Sequence, residues 1–185
     1  MLKGIAASSG VTIAPAYKYE SPAIEIVRKE AEPEAEIAKF DAAVAQSVKD
    51  IETIKEKAAG RLSDEELAIF DAHLMVAEDP AMADEVKNMI NNDKVNAEYA
   101  LDMVAGNYIA IFESLDDEYM KARAADIRDV TTRIKYHLLG VKPADLSLID
   151  SECIIVAHDL TPSDTAQLDK KYVRSEEHTS ELQSR

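Results

Sequence analysis

Four histidines, one cysteine and a scatter of carboxylates are the side chains of this sequence suited to chemistry. An imidazole acts as nucleophile or general base when one ring nitrogen faces the reacting atom and a hydrogen bond fixes the other. His73 sits in mid-helix by pattern and His137 near a helix C-terminus, positions that predict surface or cap-side roles. His158 follows the apolar run Cys153-Ile154-Ile155-Val156-Ala157 and precedes Asp159. The end of such a strand is where α/β sheets bind ligands. His178 lies in a polar stretch without hydrophobic period. The triplet Asp116-Asp117-Glu118 reads more simply as a helix start, where carboxylates suit the dipole, than as a metal site. No His/Cys spacing fits zinc, and no glycine-rich phosphate loop is present. Cys153 cannot form an internal bridge, which suits a cytoplasmic protein.

These groups need elements to position them. Ile37, Phe40, Val44, Val48, Ile51, Ile54 and Ala58 recur at steps of three or four, which predicts a long amphipathic helix from Glu34, ended by Gly60. Ser63-Asp64-Glu65-Glu66 has the capping-box arrangement and opens a second helix, with Leu67, Phe70, Leu74 and Ala77 facing inward. Asp79-Pro80 breaks that helix and starts another, running to about Asn91, because aspartate caps well and proline suits a first position. Asn96 is the expected cap of a segment reaching Ser114. Asp116-Asp117-Glu118 starts the next, with Met120, Ile127, Val130, Ile134 and Leu138 inward and Gly140 and Pro143 at its end. The sum is a bundle of about four helices joined by short loops.

Both flanks of the bundle read differently. Leu2–Ala6 and Val11–Tyr19 look like short strands, the second at a sheet edge or broken at Pro15. Pro22 and Pro33 bracket a connector in which Glu25-Ile26-Val27 adds a little extended structure. Cys153–Ala157 is a buried strand, followed by a helix with Thr161 as cap, Pro162 first and Asp164 third. Pairing of that strand with the N-terminal strands would make the fold mixed α+β and α/β: a helical bundle inserted into an incomplete α/β subdomain.

With 185 residues, 46% hydrophobic and 31% charged, the chain can pack one ordinary domain or two small ones. No apolar run is long enough to span a bilayer, and the start has no signal-peptide core. The net charge of −15 without a basic cluster argues against nucleic acid and for a basic protein partner.

Four stretches together resemble one family. They are "GIAASSGVTIAPA" (Gly4 to Ala16), "AIFDAHLMVAEDPAM" (Ala68 to Met82), "LDDEYMKARAADIRDVTTRI" (Leu115 to Ile134) and "IIVAHDLTPSDTAQLDKKYV" (Ile154 to Val173). The chain is similar to enzyme I, the phosphoenolpyruvate–protein phosphotransferase of the bacterial sugar phosphotransferase system. That resemblance implies a kinase-like phosphotransferase that uses magnesium. It moves a phosphoryl group from phosphoenolpyruvate to a histidine, then to a histidine of the carrier HPr. It also implies residues 1–33 as the first half of a phosphohistidine α/β subdomain with its connector, 34–140 as the HPr-binding helices, and 141–173 as the α/β remainder. A C-terminal domain of the intact enzyme would hold magnesium and make the homodimer; this chain alone is expected to be a monomer without a cofactor.

Carried onto this sequence, the carrier-binding face comprises Asp64, Glu65, Ala68, Met75, Val76, Asp79 and Met82, then Phe112, Tyr119, Met120, Arg123 and Asp126. Met75 and Val76 read equally as core by helical spacing alone. Glu66 and Ala81 depart from a well-known member, which has lysine and an acid there. The resemblance makes Thr165 the hydroxyl that orients the active histidine. That histidine belongs to a segment like Gly-Gly-Arg-Thr-Ser-His, expected shortly after Val173 and missing here. Residues 174–185, "RSEEHTSELQSR", read instead as a translated sequencing adapter, so His178 is not expected to accept phosphate. The alternatives are an acidic helical interaction module, or part of a related phosphohistidine enzyme such as pyruvate phosphate dikinase.

Overall fold

Proline, glycine and capping carboxylates divide the chain into the elements of a computed structural model that describes residues 12–158, 160–169 and 171–177, with side chains to Arg174. They form two compact units. One is Pro22–Pro143; the other combines the described residues up to Ser21 with those from Ala144 onward.

The first unit contains five helices. Helix α1 (Pro33–Ala58) starts on Pro33, carries Glu34 and Glu36 in its first turn, and is followed by Gly60 at φ +83°. Its buried face is Phe40, Ala43, Ser47, Ile51, Ile54 and Ala58. Ile37, Val44 and Val48, expected inside, are only half-buried. Small Ala43 and Ser47 take the central positions because they allow close helix approach, and the Ser47 hydroxyl donates to the Ala43 carbonyl at 2.9 Å.

Helix α2 (Asp64–Ala77) opens with the expected reciprocal cap: Glu66 N–H donates to Ser63 Oγ at 3.3 Å, and Ser63 N–H donates to Glu66 Oε2 at 2.7 Å. Helix α3 (Pro80–Asp93) is capped by Asp79, whose Oδ1 accepts from Met82 N–H at 3.0 Å. It ends at Lys94, which adopts the left-handed conformation with φ 50°.

Helix α4 (Ala97–Ser114) corrects one expectation. Asn96 occupies the cap position but its side chain does not cap. Instead Glu36 of α1 accepts from Ala97 N–H at 2.7 Å. Asn96, 3% exposed, turns to the connector: Oδ1 accepts from Lys29 N–H at 2.7 Å, and Nδ2 donates to Val27 O at 3.0 Å. An isolated bridge from Glu30 to Val95 adds to this. The connector is thereby tied to the helices, and the two fall within one compact unit, Pro22–Pro143. Glu25–Val27 forms no strand.

Helix α5 (Glu118–Leu139) begins at Asp117, whose Oδ1 accepts from Tyr119 and Met120 N–H, and closes on Gly140 at φ +66°. Ala124, Ile127, Val130, Thr131, Ile134 and Leu138 are buried, while Met120 is half-buried.

In the second unit three parallel strands are ordered β1 (Ala16–Tyr19), β2 (Cys153–Ala157) and β3 (Val173–Glu177). Pairing of β1 starts just after Pro15, whose carbonyl accepts from Ile154 N–H at 2.9 Å. The strand expected at Leu2–Ala6 lies outside the described residues. Helix α6 (Pro162–Gln167) has the Thr161–Asp164 capping box. The core of this unit is Tyr19, Leu146, Cys153, Ile155, Ala157 and Leu160. Strand β3 adds an element that the polar terminal stretch did not announce. Backbone pairing along an open edge does not depend on side chains, so the chain from Val173 follows β2, with a register shift between Cys153 and Ile154.

Candidate functional site

Helices α2 and α5 meet around His73. The imidazole is 1% exposed and sits edge-on to the Phe70 ring, with centroids 6.1 Å apart. Its Nε2 lies 3.3 Å from Asp126 Oδ1 and its Nδ1 3.8 Å from Asp129 Oδ2. The surface role expected for His73 is thus overturned. Phe70, His73 and Ala77, three and four residues apart, make the buried face of α2, so helical spacing already placed this histidine inward.

The outer face of α2 carries Asp64, Glu65 and Ala68, all exposed, and Met75, 76% exposed. Of the two assignments open for Met75, core and surface, the structure shows surface. Val76 is half-buried. Asp79 is half-buried, and its carboxylate caps α3. Met82 is the exception among the expected face residues. It is 6% exposed, with Val86 and Ile90 on the buried stripe of α3, because three- and four-residue steps carry it inward.

On α5, Tyr119, Arg123 and Asp126 follow one another at helical steps. Tyr119 is 62% exposed, and the Arg123 guanidinium lies 4.9 Å from its ring centroid, a cation–π contact. Arg123 Nη1 donates to Asp126 Oδ2 at 3.2 Å. Phe112 and Met120 are half-buried. The sequence reading missed the exposed Ile69, Ile111 and Leu115. For two of them the signal was available: Ile69 and Ile111 are apolar but lie off the buried stripes of α2 and α4, while Leu115 follows the end of α4. Acceptor-rich α2 and the Tyr119–Arg123 pair together offer apolar contact area bordered by charge of both signs, the composition of a protein-docking surface.

The other expected reactive groups are placed elsewhere. His137 Nε2 lies 2.7 Å from Asp50 Oδ2, so it ties α5 to α1. His158 is exposed at the end of β2. Thr165 is half-buried in α6, and its hydroxyl donates to Pro162 O at 3.0 Å or Thr161 O at 3.3 Å. That leaves its oxygen lone pairs as the groups open to a further partner. His178 lies outside the described residues. Burial pushes the Cys153 thiol up from its ordinary range. At Glu98 burial also pushes upward, but hydrogen bonds from Asn96 and Lys39 outweigh it, leaving the carboxyl below its usual value. Among the described residues no group of three or more His, Cys, Asp or Glu side chains is placed to hold a metal ion. Among them, too, no helix is long and apolar enough to cross a membrane.

Fold and face together define a class. Residues 3–123 match the family "PEP-utilising enzyme, N-terminal", and the chain belongs to that family. Within it, the similarity is to phosphoenolpyruvate–protein phosphotransferases. The chain is 51% identical over 174 residues to that of Priestia megaterium and 50% identical over 174 residues to that of Bacillus subtilis. It is 53% identical over 177 residues to that of Lactococcus lactis. These alignments cover 94–95% of this chain but only 30–31% of the relatives, so the chain spans less than a third of their length. An NMR solution structure of Enzyme I (nEIt) superposes with a TM-score of 0.84 at 44% identity, over 95% of this chain and 72% of that one. The N-terminal domain of Enzyme 1 - Nitrogen shares the fold, with TM-score 0.65 and 22% identity over 92% of this chain and 70% of that one.

Proposed function

We propose that the chain is the carrier-docking portion of a cytoplasmic phosphoenolpyruvate–protein phosphotransferase, and that the α2–α5 face receives HPr. The observation that carries this reading is Met75. A methionine 76% exposed on a helix that opens on Asp64, Glu65 and Glu66 is not part of the core, but suits an apolar contact on an acidic helix that meets a basic carrier. Val76, Phe112 and Met120 extend the apolar part; Asp64, Glu65, Arg123 and Asp126 supply the charges. Met82 would support this surface from within.

Calorimetry with purified HPr tests the reading. Binding by the wild type and a loss of about 2 kcal/mol on Met75→Asp, with the helical circular dichroism unchanged, is the expected result. A folded wild type that takes up basic proteins at random and shows no preference for HPr would replace this reading with that of an acidic adaptor.

The chain itself is proposed not to turn over phosphoenolpyruvate. His73 and His137 are each engaged by carboxylates, and the sequence holds no Gly-Gly-Arg-Thr-Ser-His segment. Thr165 would serve as acceptor for the imidazole of the intact enzyme and has no catalytic task alone. Magnesium would assist phosphoryl transfer in the intact enzyme; among the described residues no group of three or more His, Cys, Asp or Glu side chains is placed to hold it. Incubation with labelled phosphoenolpyruvate and magnesium should leave the chain unlabelled; stable label on it would reverse this assignment.

A further inference from the structure

The docking reading leaves one buried group without a task. His73 is almost wholly enclosed, yet both of its ring nitrogens face carboxylates of α5. Asp126 uses Oδ1 towards His73 and Oδ2 to accept from Arg123 Nη1. Arg123 in turn lies over the exposed Tyr119 ring. Imidazole, carboxylate, guanidinium and phenol thus form one line from the interior to the surface.

We propose that His73 is a positioning residue for docking, acting through Asp126 to set how Arg123 and Tyr119 are presented. The proposal rests on the docking reading for its consequence but not for its geometry. An ionised carboxylate only accepts, so the contact with Nε2 is attractive when that nitrogen carries its hydrogen. Buried, such a bond is stronger than at the surface. The terminal torsion of an aspartate is otherwise broad, and a carboxylate free to turn would not hold one guanidinium geometry. Arg123 would then sample several rotamers, and ordering it on binding would weaken association. Packing alone does not predict this, since an apolar side chain of similar size would fill the same space.

HPr binding is to be measured by calorimetry for wild type, His73→Gln, His73→Leu, Arg123→Ala and the double variant His73→Leu/Arg123→Ala. Circular dichroism and melting report the fold, and the Arg123 Nε–H resonance is followed by NMR. Glutamine keeps a terminal N–H donor towards Asp126; leucine keeps bulk alone. The expected result is a loss of about tenfold for His73→Leu, near wild-type affinity for His73→Gln, and no further loss from His73→Leu in the Arg123→Ala background. The Arg123 resonance should move in the leucine variant and stay in the glutamine variant. Equal losses for both His73 variants, or a full leucine effect without Arg123, would make His73 a packing residue and overturn the proposal. Should wild type not bind HPr, the docking reading falls separately. The relay is then decided by the Arg123 resonance, which if unmoved in the leucine variant refutes it. Should the leucine variant not fold, loss of affinity and of the wild-type resonance in the glutamine variant is the refuting outcome.

Discussion

The helical unit and the sheet unit are held together by different kinds of contact. In the helical unit the elements are joined to their neighbours by polar ties between helices. Examples are Glu36 at the start of α4, Lys135 with Asp102, Lys55 with Asp71 and His137 with Asp50. In the sheet unit β1 and β2 are brought together across more than a hundred residues, and Tyr17 and Val156 stay exposed on the described strands. A parallel pair of this kind joins segments far apart in sequence at high entropic cost, whereas each helix also gains from its own backbone bonds between residues four apart. The proposed docking face and relay both lie within Pro22–Pro143.

The sharpest way to break that distinction is to compare one core truncation in each unit. Phe70→Ala should cost the helical unit about 3–5 kcal/mol, read from denaturant unfolding by far-ultraviolet circular dichroism. Ile155→Ala should leave the stability of Pro22–Pro143 unchanged within about 0.5 kcal/mol while loosening the sheet, because the two residues belong to different compact units. Equal loss of helical signal in both variants would show that the units unfold as one.

A smaller effect tests the connector. Asn96→Ala strips Lys29 N–H and Val27 O of their buried partner and should cost about 1–3 kcal/mol. Faster amide exchange at Lys29, with exchange in α5 unaltered, is the expected signature. Slow exchange retained at Lys29 would mean that the Glu30–Val95 bridge suffices to hold the connector.

The smallest effect is electrostatic. The Glu98 carboxyl is held below its ordinary value of 4.5 in the folded chain. The folded state therefore binds its proton less readily than the unfolded state, and the stabilisation is present above the ordinary value. It is lost as pH falls through the lowered folded value. Glu98→Gln should flatten the acid side of the stability profile below about pH 4.5, measured by melting. An unchanged acid limb would assign that limb to the other carboxylates.

Much of this arrangement was legible in the residues. Ser63 with Glu66, Asp79 with Pro80, and Gly140 announce helix limits because capping is local chemistry, and Cys153–Ala157 reads as a strand from length and branching. The differences have more than one cause, partners distant in sequence among them. Asn96 looks like a cap until Glu36 takes over that task and the connector occupies its side chain. His73 reads as superficial although its spacing with Phe70 and Ala77 already points inward. Met82 was placed on the docking face by resemblance although its own helical spacing pointed inward. The extension from Val173 could not be anticipated, because a strand that completes a backbone ladder needs no pattern of its own.

Lys94 shows how the connector constrains the chain that follows α3. With φ at 50° it holds a backbone shape that a Cβ-bearing residue resists by about 1–2 kcal/mol. Its carbonyl must nonetheless point at Ala31 N–H, 3.0 Å away, if the loop is to reverse there. The bend before α4 is consequently shared between two segments: Lys94 supplies the left-handed turn, and Ala31 of the connector supplies the N–H that its carbonyl accepts.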